Sequence, residues 1–139
     1  MIVEVGGASM EPSLRRSWRV RIAPAEVVSS GDVILFRGRS ELVLHRVVEA
    51  FDDNLVHRGD AGGGMGLIRR TQVLGRAVEV VSPPEPFPVL DRLPPSARAS
   101  FERARRRARA YALLRRAAVR AGLDRTPLRG LARLFWRHA

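Results

Sequence analysis

Glu41-Leu42-Val43-Leu44-His45-Arg46-Val47-Val48-Glu49-Ala50-Phe51, followed by Asp52-Asp53-Asn54 and then Leu55-Val56-His57-Arg58, is the stretch on which the fold turns. Its first part is rich in β-branched and aromatic residues and has no helical period. The acidic triplet is a turn signal, and a second short apolar run follows it, so the whole reads as a β-hairpin. Alternation places Leu42, Leu44, Arg46 and Val48 on one face of the first strand, and Val43, His45 and Val47 on the other.

Working outward, other short runs carry the same signature. Ile2 to Val5 alternates weakly, and Trp18 to Ile22 alternates apolar with charged residues. Ser30-Gly31-Asp32 is a turn leading into the apolar run Val33 to Phe36. Ala61 to Gly66 (AGGGMG) reads as a loop, and Val73 to Val81 as a closing strand in which Gly75 marks a bulge. This spacing predicts a mainly β unit over 1–81, a compact barrel or folded sheet. The segment 82–95 holds six prolines in fourteen residues and reads as a semi-rigid linker. Beyond it the period becomes helical. Ala97, Phe101, Ala104, Ala108, Tyr111, Ala112, Ala118 and Val119 share a face over a helix at about 96–121, which Gly122 stops. Thr126-Pro127 opens a second helix at 127–137, with threonine as cap and proline as first residue.

Composition narrows the chemistry. The chain has 139 residues and no cysteine, which excludes disulfides and thiolate sites. His45, His57 and His138 lack metal-ligand spacing, so no zinc site is expected, and the serine chemistry read below calls for no metal or organic cofactor. The net charge of +11 is uneven: residues 1–95 hold twelve arginines against twelve acids, and residues 96–139 hold thirteen against Glu102 and Asp124. All 25 basic residues are arginine, because lysine is absent. No apolar run is long enough to span a bilayer and no signal-peptide pattern is visible, so the expected location is the cytoplasm.

One more cluster stands out. Gly6-Gly7-Ala8-Ser9-Met10-Glu11-Pro12-Ser13-Leu14 follows the first apolar run and is an unusual composition for a core element. A serine hydroxyl needs a neighbouring base to act as a nucleophile. With lysine absent, histidine is the remaining solution, and His45 and His57 are the candidates, His138 lying in the basic C-terminal segment. By itself His45 reads as a half-buried strand histidine and His57 as a surface residue at a strand end. The glycine run 62–66 lacks the strand-to-helix context and the lysine of a phosphate-binding loop.

Gly7 to Leu14, Gly31-Asp32-Val33-Ile34-Leu35-Phe36, Val43-Leu44-His45-Arg46-Val47-Val48, Arg58-Gly59-Asp60 and Leu74-Gly75-Arg76-Ala77-Val78 resemble, in order and spacing, the boxes of the type I signal peptidase superfamily. The resemblance covers residues 1 to about 81 and none of the tail. Leader peptidases and LexA-like repressors of that superfamily pair serine with lysine, whereas the archaeal and endoplasmic-reticulum type uses histidine, which Val43-Leu44-His45-Arg46-Val47 is similar to. The resemblance implies a signal-peptidase-like catalytic domain with Ser9 as nucleophile, His45 as general base and Asp60 as the carboxylate orienting the imidazole. It also implies an oxyanion and substrate-binding region around Gly7, Ala8, Met10 and Pro12, and an extended substrate lying beside a strand. Two departures are visible. Gly7 stands where many members have a serine donor, and no second acid follows Asp60 in residues 61–66.

The expectation is a serine endopeptidase that processes a precursor peptide or protein through a Ser9 acyl-enzyme. The alternative is a catalytically weak peptide-binding module whose arginine-rich tail recruits an anionic partner, membrane or nucleic acid. Three roles remain open for residues 96–139: a helical pair packed on the β-domain, an interfacial helix in peripheral contact with an anionic membrane face, or a polyanion site.

Overall fold

The computed structural model describes residues 1–51, 53–82, 87–89, 93 and 95–122. The linker at 82–95 therefore falls largely, and the helix expected at 127–137 wholly, outside the described residues.

The β-branched runs form a curled antiparallel sheet. Its strands are β1 (Ile2–Glu4), β2 (Arg19–Ala23), β3 (Val33–Arg37), β4 (Leu42–Phe51), β5 (Asn54–Arg58), β6 (Gly66–Arg69), β7 (Val73–Val80) and the two-residue β8 (Phe87–Pro88). The order across the sheet is β1-β2-β7-β3-β4-β5-β6, with β8 also on β7. The opening hairpin is present as β4 and β5, with Phe51 paired to Asn54. β6 differs from expectation: Gly66 ends no loop but begins a strand, because Ile68 carries an apolar side chain back into the sheet opposite Leu55. Gly75 does sit at a bulge, where Leu35 pairs with Gly75 but Phe36 with Val73. A Cβ on Gly75 would run into the Ala23 carbonyl and the Ile22 side chain, so the absence of a side chain lets β2 approach.

The sheet buries both faces. Met10 and Leu14, from the segment after β1, pack with Val20, Ile22, Val33, Leu35 and Val80. On another face Ile34, Phe36, Val47, Leu55 and Ile68 form a second cluster. The third cluster is covered by the helix α1 (Pro95–Arg120), which lays Ala104, Ala108, Tyr111 and Ala112 over Val48, Phe51, Val56 and Met65. Alanines on its inner face permit this close approach, and Glu49 on β4 accepts from Arg109 at 2.7 Å. Val119, expected on the inner face, is 56% exposed, since burial along α1 ends at Ala112 apart from half-buried Arg115 and Ala118. Gly122 follows the helix with φ +72°, the left-handed conformation of a C-terminal stop.

Candidate active site

Ser9 is held at the surface by residues on either side of it in sequence and space. Its neighbour Met10 is 1% exposed in the core, while Ser9 itself is exposed. The loop folds as turns, with the Glu11 N–H donating to the Ala8 carbonyl at 3.0 Å and the Leu14 N–H to that of Met10 at 2.9 Å. It is closed at its base by the Val5 N–H donating to Trp18 and the Ser17 N–H donating to Val5, each at 2.8 Å. The peptide between Glu11 and Pro12 is cis.

The Arg58-Gly59-Asp60 segment is the seat of that loop. A Cβ on Gly59 would overlap the Ser9 carbonyl, so only glycine lets the two backbones meet here. The Ala61 N–H then donates to the same carbonyl at 2.9 Å. The Arg58 guanidinium reaches the other way, to the Ser100 hydroxyl of α1 at 2.9 Å.

His45 lies on β4, and its Nε2 is 3.2 Å from Ser9 Oγ. The structure thus brings together two of the three residues expected at the catalytic centre. Asp60 is not the group on the other imidazole nitrogen. Both its oxygens are taken by Arg46, Oδ1 by Nε at 2.8 Å and Oδ2 by Nη2 at 2.6 Å. The pair is buried, with side chains 3% and 2% exposed, and Arg46 also donates to the Gly31 carbonyl at 2.8 Å. A bidentate guanidinium satisfies the carboxylate where strand alternation turns Arg46 away from His45.

His45 Nδ1 instead faces His57 Nδ1 at 2.9 Å. The expectation that His57 lies on the surface is therefore corrected: it is half-buried, with the Phe36 ring centroid 4.5 Å away. A bulge explains the difference. Continuing the hairpin regularly from Phe51 and Asn54 would set His57 opposite Val48, on the face away from His45. Val48 is the extra residue, so Glu49 pairs with Val56 but Val47 with His57, which turns His57 onto the His45 face. The two rings are then diagonal neighbours across the strands. Gly66 pairs with His57, and a Cβ there would overlap the imidazole.

Burial lowers the pKa of both rings. For His45 burial is the larger cause, opposed by the negative charge of Asp60. For His57 burial and then the neighbouring His45 push it down to about 4. Both are neutral at pH 7, the state in which an imidazole can accept a proton.

A groove of about 910 Å³ opens in front of this pair. Two strand margins border it. β1 pairs with β2 alone among the described strands, and Val3, Glu4 and Val5 line the groove. Leu42 to His45 pair with β3 on one side, but β5 joins β4 only from Arg46 onward, so the other edge of this half of β4 is open. Of the four residues expected around the oxyanion, Gly7 and Met10 line the groove. Pro12 instead lines a separate cavity of about 530 Å³ beside Arg58 and α1. Ala8 is exposed and fills its role in the turn. Among the described residues no group of three or more histidine, cysteine, aspartate or glutamate side chains is placed to hold a metal ion.

The chain matches no family model, no curated protein and no solved structure.

Proposed function

We propose that the protein is a serine endopeptidase of the kind its sequence boxes resemble, with Ser9 as nucleophile and His45 as general base. The observation that carries the reading is the 3.2 Å contact between Ser9 Oγ and His45 Nε2 at the floor of an open groove. As Oγ attacks a peptide carbonyl, its proton passes to Nε2. Collapse of the tetrahedral adduct returns that proton to the leaving amine, and water then hydrolyses the Ser9 ester by the same route in reverse. Backbone amides, that of Ser9 among them, serve as donors to the developing oxyanion, because Gly7 adds no side-chain donor. An extended substrate adds to the open edges of β1 and of Leu42 to His45, so its main chain is read by strand pairing.

The tail supports a peripheral location in this reading. The outward side of α1 exposes Leu113 and Leu114 among arginines, which suits contact with an anionic membrane surface. No described helix is long and apolar enough to cross a membrane.

The test is labelling of the full chain with a fluorophosphonate probe. Wild type is expected to be labelled at Ser9, Ser9→Ala not at all, and His45→Ala at a rate lower by about 100-fold or more. No labelling of wild type, together with retained binding of extended peptides, would favour the non-catalytic peptide-binding module.

A further inference from the structure

We infer that His57 is the positioning residue for the base: its Nδ1 accepts the Nδ1–H of His45 and so holds the lone pair of His45 Nε2 on Ser9. The inference rests on the serine-peptidase reading for the direction of that hydrogen bond and its consequence in rate; the contact between the two imidazoles stands on its own.

Two short contacts link the proton positions of the pair. His45 touches Ser9 Oγ through Nε2 and His57 through Nδ1, at 3.2 Å and 2.9 Å. A neutral imidazole carries one N–H. If Nε2 is to accept from serine, that N–H sits on Nδ1 and needs an acceptor. The facing atom is His57 Nδ1, which accepts when His57 holds its own proton on Nε2. The reverse pair, with His57 Nδ1–H donating and His45 Nε2–H pointing at Oγ, makes the same two contacts but leaves no base, so the serine-accepting arrangement selects the first pair.

The surroundings fix the His57 ring in this role. Gly66 leaves the space it occupies, and Phe36 lies against it with the planes tilted by 52°. The carboxylate that would otherwise orient the base is held by Arg46 through both oxygens. The charged groups around the pair are Asp60 with Arg46 and, along the groove wall, Glu4, Arg39 and Glu41. During attack the serine proton moves to His45 Nε2, the Nδ1–H stays in place, and His57 neither gains nor loses a proton.

Two measurements test this on the full chain. Ring-nitrogen NMR of the histidines is expected to show His45 protonated at Nδ1 and His57 at Nε2. A His45 proton on Nε2 overturns the assignment whatever the activity. The second measurement is the pH profile of the fluorophosphonate labelling rate for His57→Phe and His57→Asn. Phenylalanine fills the ring volume without an acceptor, so labelling is expected to fall about 100-fold or more across the profile. Asparagine offers a carbonyl oxygen and is expected to stay within about tenfold of wild type. Equal rates in wild type and His57→Phe overturn the inference while leaving the peptidase reading intact. Equal losses in both variants at unchanged melting temperature also overturn it, in favour of simple packing. If wild type is not labelled but the expected tautomers are seen, the peptidase reading falls and the imidazole pair stands.

Discussion

Protonation of His57 has a direct consequence for the folded state. Its pKa is about 4 in the fold against an ordinary value of 6.5, so between these values the unfolded chain binds a proton that the folded chain does not. Stability is therefore complete above pH 6.5 and is lost as pH falls toward 4, by at most about 3 kcal/mol. Denaturant melts from pH 7 to pH 4 should show this slope in wild type and a flatter one in His57→Phe. Asp60 has a different dependence. Asp60→Asn leaves Arg46 charged and buried without its counter-ion, and breaking a buried pair this way costs about 3 kcal/mol. The expected result is a lower melting temperature. Below it, the labelling rate should change less than about tenfold, because no hydrogen bond to His45 is lost; an orienting carboxylate would instead be worth about 10⁴.

At the scale of elements, the site depends on where glycine lets backbones meet. Gly59→Ala would drive its Cβ into the Ser9 carbonyl, displacing the loop that carries Ser9. A shift of about 1 Å is enough to cost about 100-fold in rate. Labelling should drop by that order while thermal melting shows the sheet still folded. Gly7 is the opposite case. A Cβ there meets nothing within 4 Å, and the residue faces the groove. Gly7→Ser therefore fits, and a hydroxyl donor at this place should raise the labelling rate, by up to about 100-fold if it reaches the oxyanion. The strands were legible because period-two alternation is a local signal. The Ser9–His45 pairing was legible only through the ordered motifs that resemble a known family, since the residues alone left His45 and His57 both open. The His57 contact was not, because it follows from the bulge at Val48, and a one-residue slip on a strand exchanges faces without altering composition. The Asp60–Arg46 pair was hidden for a related reason. Arg46 adjoins His45 in sequence but points to the opposite face, so adjacency in the motif said nothing about which side chain the carboxylate would meet. β6 was masked by the glycines before it, since its four residues are too short for a pattern of their own.

For the whole molecule, the balance of charge meets the balance of burial in α1. The sheet needs the helix, because Val48, Phe51, Val56 and Met65 are covered by its alanines and Tyr111. The opposite face of α1 has no such duty. Arg106, Leu113 and Arg120 lie along one line of it, with Leu114 close by, and all are exposed. Across 95–122 there are nine arginines against the single acid Glu102, so this face is cationic with an apolar centre. A lipid surface satisfies both properties together, while a nucleic acid satisfies only the charge. The full chain is therefore expected to co-sediment with phosphatidylserine-containing vesicles more than with neutral ones, and to release as salt rises. Replacing Leu113 and Leu114 by serine should weaken vesicle binding while leaving the melting temperature nearly unchanged, because neither side chain is buried in the fold. Loss of vesicle binding without loss of binding to a nucleic acid would assign the apolar centre to the membrane. Equal retention of both would reduce the face to its charge alone.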